Sequence, residues 1–283
     1  MHPRTEISGF CYKEHITEAY PYIFTPRCIV PLVDVSRSSD EKSICDYADV
    51  LPAFLVSDCQ DVFNSGSHYA GNYYITVEPT GTKSSFKVCC QMTDDAGWTI
   101  LMRRMDGSID FFKKWDEFKR GFGNLEAEFW LGNDKIHELT SQGMNSREDL
   151  KGKKYYAEYD HFSIADEADK YRIHVSGYHG NAGDSLTSYW EDHNNQAFST
   201  RDRDNDDRFY DNCAEHYHGA WWFKSCFESH LNGIYYRKGE HNNYFVRNGI
   251  QWNTIHLHSS LKYAAMLVKP STKASDPSSI KSH

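Results

Sequence analysis

The stretch DRDNDDRFYDNCAEHYHGAWWFKSC, from Asp202 to Cys226, joins an acidic run to an aromatic loop bounded by two cysteines. The acidic run crowds five carboxylates into ten residues, at Asp202, Asp204, Asp206, Asp207 and Asp211. Carboxylates this close repel one another unless a cation offsets their charge, and Ca²⁺ takes about six to eight hard oxygen ligands. The run therefore predicts a calcium loop, with a solvated charged loop as the alternative.

This acidic run is not an EF-hand, although DRDND matches the first five positions of that motif. Asp207 stands at the sixth position, where the EF-hand has Gly, and Cys213 stands at the twelfth, where it has Glu. The sequence therefore indicates a calcium site of another type, in which Asp204, Asp206 and nearby backbone carbonyls supply the oxygens.

The two cysteines that enclose AEHYHGAWWFKS, Cys213 and Cys226, suit either a disulfide or a zinc site completed by His216 and His218. A disulfide is favoured because no C-x-x-C pair occurs among the eight cysteines and because the neighbouring carboxylates suit a harder cation than zinc. A bridge closing a loop of this size would add about 3 kcal/mol of stability in the chain-entropy model.

The aromatic residues of this loop divide into two groups. Trp221, Trp222 and Phe223 are consecutive and point in several directions, so we expect most of them in the core. Tyr217 lies beside two histidines and a glycine, which is more typical of a pocket wall.

Composition excludes several classes of protein. A chain of 283 residues with 39% hydrophobic residues can bury one sizeable core. A net charge of -9 without a basic block argues against nucleic acid and anionic membranes as partners, and no apolar run approaches the ~20 residues of a membrane span. None of the 15 histidines lies in a recognisable catalytic motif, and no nucleophile elbow or phosphate loop occurs, so we do not expect an enzyme.

The chain divides into three parts by composition. Residues 1–56 carry five prolines and three cysteines at equal intervals and predict an extended arm, residues 57–270 one domain, and residues 271–283 a polar disordered tail. Within the domain, alternating runs such as SSFKVCCQM predict an antiparallel sheet, GNDKIHELTSQG predicts a short helix capped by Asn133, and the part after Gly180 predicts irregular backbone. The fold class is therefore α+β.

Several motifs together give the chain a resemblance to a known family. NCAEHYHGAWWFKSCFESHLNG, DRDND, DDAGWTILMRRMDGSIDF, EFKRGFGNLEAEFWLGNDKIHELT and SLKYAAMLVKP resemble the fibrinogen C-terminal domain family, in order from about Cys59 to Pro270. The ficolin and tachylectin branch is the most similar. The resemblance implies a central twisted antiparallel sheet, few short helices and a large irregular subdomain that binds calcium and ligand.

The same resemblance implies the calcium ligands: the side chains of Asp204 and Asp206 with two backbone carbonyls. One residue is inserted before the loop cysteine relative to the usual spacing, which leaves the first carbonyl open between Arg208 and Phe209, with Asp211 for the second.

The disulfides that the resemblance implies are Cys213 with Cys226 and Cys59 with Cys90. Four cysteines are then left for bridges between arm and domain or between subunits: Cys11, Cys28, Cys45 and Cys89.

In the lectins of this family the peptide bond before the second loop cysteine is cis, and backbone N–H groups there hold the acetyl group of a sugar. By position this carries over to Ser225, Cys226 and Tyr217. The residue after the cysteine is usually His in members that bind acetyl groups and is Phe227 here. The further pocket wall is expected from Tyr244 or Phe245.

Three histidines are expected to flank this pocket and could weaken binding in acid: His216, His218 and His230.

The function implied is a secreted, calcium-dependent recognition lectin of innate immunity that binds acetylated carbohydrate as a homo-oligomer. The alternative is a receptor-binding or matrix domain of the angiopoietin-like or tenascin-like kind. The eight cysteines favour an oxidising, extracellular compartment. No signal-peptide pattern is visible in MHPRTEISGFCYKEH, so we expect that a leader was removed or that the N-terminus is incomplete.

Overall fold

The computed structural model describes residues 56–78, 84–141, 144–150, 155–237, 247–255 and 259–271, with the backbone alone given for 144–150. The expected arm (1–56) and tail (271–283) lie almost entirely outside the described residues. Tyr244, Phe245, Cys11, Cys28 and Cys45 lie outside them as well.

A large antiparallel sheet forms the centre of the domain. The strands of the described residues are β1 Gly71–Val77, β2 Ser84–Met92, β3 Gly97–Arg104, β4 Phe122–Gly123, β5 Phe129–Trp130, β6 Met144–Leu150, β7 Tyr155–Ile164, β8 Ile173–Gly180, β9 Ser229–His230, β10 Gln251–Trp252 and β11 Ala264–Pro270. Seven strands of the sheet follow the order β1-β2-β3-β11-β6-β7-β8, the short strands β4 and β5 attach beside β3, and β9 and β10 form a separate pair.

Four short α-helices lie in the described part of the chain: α1 Cys59–Asn64, α2 Trp115–Arg120, α3 Asn133–Thr140 and α4 Cys213–His216. Asp58 caps α1, because its Oδ1 accepts hydrogen bonds from the backbone N of Gln60 (2.7 Å) and of Asp61 (3.0 Å). The α+β class with an antiparallel sheet and few short helices is confirmed.

The start of α3 differs from the expectation. Gly132 occupies the N-cap position and Asn133 is the first helical residue. The Asn133 side chain faces inward, where its Oδ1 accepts a hydrogen bond from Trp130 Nε1 at 2.9 Å. A buried indole N–H needs an acceptor, and that demand decides the orientation of Asn133.

An aromatic cluster joins the sheet to the irregular part of the domain. Phe198 stacks on Trp130 with ring centroids 5.8 Å apart and meets Trp222 at 5.3 Å. Trp222 Nε1 donates to the Tyr171 carbonyl at 2.7 Å. Burying such a side chain stabilises the fold by about 1.5–3 kcal/mol or more, so Trp222 ties the cysteine loop firmly to the core. Trp221 and Phe223 are fully buried too, as the sequence predicted.

The backbone after β8 is mostly irregular, as expected. Between Asn181 and Ile255 the described residues form only α4, the β9–β10 pair and isolated bridges. No helix in the described part of the chain is long and apolar enough to cross a membrane.

Candidate functional site

The loop between Cys213 and Cys226 is closed by a disulfide, and a second disulfide joins Cys59 to Cys90. These are the pairs that the resemblance implies. Because both loop cysteines are in the disulfide, the zinc alternative with His216 and His218 is wrong.

Asn212 positions the start of this loop. Its Oδ1 accepts from the backbone N of Ala214 (2.7 Å) and Glu215 (3.1 Å), which caps α4, and its Nδ2 donates to the Thr200 carbonyl at 2.9 Å. Gly219 is required further along, because a Cβ there would lie 2.3 Å from His230 Nε2. Tyr217, between these two points, follows directly after α4.

The end of the loop presents backbone donors. The Ser225–Cys226 peptide bond is cis. The Ser225 N–H donates to Glu191 Oε2 at 3.1 Å, and Lys224 N donates to the Cys226 carbonyl at 2.8 Å. Within the described ranges, the N–H groups of Cys226 and Phe227 have no acceptor. Two adjacent donors of this kind can bind a carbonyl oxygen of a ligand.

His193 holds the chain that follows these donors. Its Nε2 accepts from the backbone N of Glu228 and of Ser229, each at 3.2 Å, while its Nδ1 donates to the Trp222 carbonyl at 2.6 Å. Burial lowers the pKa of His193 to about 4, so the ring is neutral with the proton on Nδ1. The role of His193 has no signal in the sequence, because the residue is 33 positions from the second loop cysteine and belongs to no motif.

Aromatic rings lie next to the free donors. Tyr217 meets Phe227 edge-to-face at 4.8 Å, and Phe227 contacts His230 at 5.3 Å. Arg247 covers the Phe227 ring with its guanidinium carbon 4.9 Å from the centroid. Phe227 is therefore buried, whereas Tyr217 is half-buried.

The three histidines that were expected to flank the pocket have different surroundings. His230 is fully buried, and in the described structure neither ring nitrogen has a hydrogen-bond partner. Burial, with the charges of Arg104 and His193, lowers the pKa of His230 to about 3, so its titration lies far below neutral pH. His218 packs on Phe112 at 4.9 Å and is exposed, and His216 lies 3.3 Å from Asp211.

The acidic run is built into the site by several contacts. Asp202 serves the fold, because its Oδ1 accepts from Trp115 N (2.9 Å) and Thr200 Oγ1 (2.8 Å). Asp207 N donates to the Lys224 carbonyl at 2.9 Å, which connects the run directly to the segment before the cis bond. The acidic run and the free donors are therefore parts of one local structure.

Asp204 and Asp206 fit a hard divalent cation. Asp204 Oδ1 accepts from Asp206 N at 3.2 Å, while Asp206 accepts from the backbone N of Arg208 and of Cys213, each at 2.9 Å. Burial, and then the neighbouring Asp204, raises the pKa of Asp206 to about 6. A cation between these carboxylates would offset that electrostatic cost.

The other two expected calcium ligands have their side chains directed elsewhere. Phe209 is exposed to solvent, and the Asp211 carboxylate pairs with Arg208 Nε at 2.5 Å. Only their backbone carbonyls are available, which is the role that the resemblance implies. Among described residues no group of three His, Cys, Asp or Glu side chains is placed to hold a metal, so a cation at Asp204 and Asp206 would need backbone oxygens as further ligands.

Cys89, which the family pattern leaves without a partner in the domain, is a free cysteine in the described structure. It is buried in β2, with Arg103 Nη1 3.8 Å from its Sγ, and burial raises the pKa of its thiol. A buried thiol of raised pKa is poorly suited to bridge another chain.

Comparisons with known proteins agree with this architecture. Residues 55–271 match the family described as fibrinogen beta and gamma chains, C-terminal globular domain. The chain is 44% identical over 231 residues to fibroleukin of Bos taurus, and the match covers 76% of this chain and 51% of that protein. It is 42% identical over 232 residues to ryncolin-4 of Cerberus rynchops, covering 80% of this chain and 64% of that protein. The chain therefore spans about half to two thirds of the length of these curated relatives.

Solved structures show the same fold. The fibrinogen-like globe domain of human ANGPTL2 is 35% identical with a TM-score of 0.71, covering 77% of this chain and 100% of that one. The lamprey fibrin D-dimer, in complex with the peptide Gly-His-Arg-Pro-amide, is 33% identical with a TM-score of 0.73, covering 88% of this chain and 83% of that one. None of these comparisons indicates a catalytic family.

Proposed function

Because the protein belongs to the family of C-terminal globular domains found in fibrinogen beta and gamma chains, we propose that it is a secreted recognition domain that binds the acetyl groups of glycans. The observation that carries this proposal is the pair of free backbone donors, Cys226 N–H and Phe227 N–H, beside the half-buried ring of Tyr217. The two disulfides support an extracellular site of action.

The chemistry of the pocket suits an N-acetyl group. Its carbonyl oxygen can accept from both free donors, each hydrogen bond contributing about 0.5–1.5 kcal/mol. The methyl group of the acetyl can pack against Tyr217 and Phe227, a contact that a sugar with an unacetylated amine lacks. A site with so few contacts binds weakly, so clustering of several domains is needed for useful avidity. A homo-oligomer linked through the cysteine-bearing arm would supply it.

Calcium is proposed to stabilise this pocket. Asp204 and Asp206 would supply carboxylate oxygens, with the carbonyl of Phe209 or Arg208 and that of Asp211. The cation would neutralise the acidic run and order it. Because Asp207 N bonds the Lys224 carbonyl, ordering the run also fixes the segment that carries the free donors.

Affinity chromatography tests the proposal. Protein in calcium is applied to an N-acetylglucosamine resin and to a matched glucosamine resin, then eluted with free N-acetylglucosamine. Retention on the acetylated resin alone, released by the free sugar, is expected. A folded protein that passes through both resins in calcium contradicts the acetyl-binding function.

The second candidate function is recognition of a protein receptor, a matrix protein or a peptide end. Phe227 favours it, because this ring fills a position where acetyl-binding members usually have His. Angiopoietin-related protein 7 of Homo sapiens, at 39% identity, is about as similar to the chain as ryncolin-4, at 42%. Under this alternative the acetylated resin does not retain the protein, whereas a resin that carries the recognised peptide end does.

A further inference from the structure

Two exposed aromatic residues lie on a loop beside the free donors. Tyr189 and Trp190 are 89% and 77% exposed, and their rings meet edge-to-face at 5.4 Å. Two adjacent large rings exposed to solvent form an apolar patch of the kind that contacts a ligand or partner. Neither residue contributes to the core or to the pocket described above.

The loop that carries them is held by its own hydrogen bonds. His193 N donates to the Leu186 carbonyl at 2.8 Å, which closes the loop at its base. Asp184 Oδ1 accepts from the backbone N of Leu186 (3.0 Å) and of Thr187 (2.9 Å) at its start. The exposed rings are therefore presented by an anchored loop.

Glu191 connects this loop to the pocket. Its Oε2 accepts from Ser225 N at 3.1 Å, and Ser225 precedes the two free donors directly. Trp190, the neighbour of Glu191, is thus placed at the edge of the pocket. His193, which closes the loop, also holds the backbone N of Glu228 and Ser229 on the other side of the donors.

The charge around this edge restricts the ligand. Glu191 and Asp192 follow Trp190 directly, and the acidic run contacts the same pocket segment through Asp207. The two carboxylates that adjoin Trp190, Glu191 and Asp192, give the exposed rings a local negative charge that does not depend on the acidic run. A sulfated or sialylated sugar placed on these rings would be repelled by that charge, whereas a neutral sugar would not.

From these contacts we infer that Tyr189 and Trp190 form a platform for the sugar rings that follow the acetylated ring of a neutral oligosaccharide. This inference rests on the proposed acetyl-binding function. With the acetyl group on the free donors, the next rings extend over the pocket edge, where their apolar faces stack on the exposed aromatic rings. The site therefore recognises the end of an oligosaccharide and not an isolated monosaccharide.

The test compares two ligands that each have one acetyl group. Methyl N-acetylglucosaminide is one, and the trisaccharide N-acetylglucosamine-β1,3-galactose-β1,4-glucose is the other. Dissociation constants are measured by calorimetry in calcium for the full-length protein. We expect the trisaccharide to bind about tenfold more tightly, in line with one good stacking contact.

Trp190→Ala should abolish this difference to within about twofold and leave the affinity for the monosaccharide unchanged. Tyr69→Ala is the matched control, because Tyr69 is also 77% exposed and lies between α1 and β1, away from the loop. It should retain the full difference.

The outcomes separate the platform from the pocket. Equal affinity of the wild-type protein for both ligands, or a difference that survives in Trp190→Ala, overturns the platform and leaves the acetyl pocket intact. In that case the exposed rings serve another partner, such as a protein. Failure of the wild-type protein to bind either ligand overturns the acetyl-binding function and the platform with it.

Discussion

Tyr217 is the residue whose side chain has the clearest role in the proposed pocket. Its ring packs on Phe227 at 4.8 Å and on His216 at 4.6 Å, and the residue is half-buried. We expect Tyr217→Ala to weaken binding of N-acetylglucosamine about tenfold, since a stacking contact of about 1.4 kcal/mol is lost. Tyr217→Phe keeps the ring and should retain most of the affinity. Calorimetry of both variants checks this, and equal losses in the two would point to the hydroxyl instead of the ring.

His230 makes a prediction about stability and pH. Its pKa is lowered to about 3 in the fold, against about 6.5 in the unfolded protein, so the neutral form stabilises the native state. This contribution is complete above about pH 6.5 and is lost as the pH falls towards 3. Between pH 7 and pH 5 the free energy of unfolding should fall by about 2 kcal/mol from this residue alone.

His230→Leu separates this effect from that of other groups. Neither ring nitrogen of His230 has a partner in the described structure, so the substitution removes no hydrogen bond. Urea unfolding at pH 7 and pH 5 should show a smaller decrease for the variant by about 2 kcal/mol. An acid decrease of the same size in both proteins would show that His230 is not held neutral.

At the level of single residues, the sequence predicted those site residues that belong to contiguous motifs. Asp204, Asp206, Tyr217 and the loop cysteines are part of contiguous motifs, and their proximity follows from short separations. Glu191 and His193 could not be predicted, because their contacts with Ser225, Glu228 and Ser229 join distant segments through irregular backbone. A buried histidine with lowered pKa is visible only once the packing around it is known.

Among the elements, the acidic run gives the prediction for calcium. Chelation should lower the melting temperature, because removing the cation restores repulsion between the carboxylates of Asp204 and Asp206. Asp204→Asn should abolish this dependence, and Asp169→Asn, an exposed carboxylate outside the run, should not. Thermal unfolding in calcium and in chelator measures both. A melting temperature that chelator leaves unchanged in the wild-type protein would contradict a calcium site here.

The prediction of elements from the sequence was strongest where the pattern was regular. The run SSFKVCCQM matches the bounds of β2, and its burial alternates from Ser85 to Val88 and then continues through Cys89 and Cys90. At the start of α3 the prediction was wrong, because the indole of Trp130 needs the amide of Asn133 as its acceptor. That requirement arises from tertiary packing and has no local signal.

On the scale of the whole molecule, the sheet and the irregular part have separate tasks. The sheet supplies the core, and the aromatic cluster of Phe198, Trp130 and Trp222 fixes the cysteine loop on it. The irregular part then brings together three segments around the free donors: the loop that ends at His193, the acidic run and the cysteine loop. The α+β class was predictable from the sequence, but this convergence of segments was not, because irregular backbone has no period.

The proposed function depends above all on Cys226 N–H and Phe227 N–H binding the carbonyl of an acetyl group. The most direct measurement is the backbone amide NMR spectrum of the ¹⁵N-labelled protein in calcium, titrated with N-acetylglucosamine and, separately, with glucosamine. We expect the amide signals of Cys226 and Phe227 to shift with N-acetylglucosamine and to stay in place with glucosamine. If the signals of both residues stay unchanged throughout the titration with N-acetylglucosamine, these two N–H groups do not bind the acetyl carbonyl.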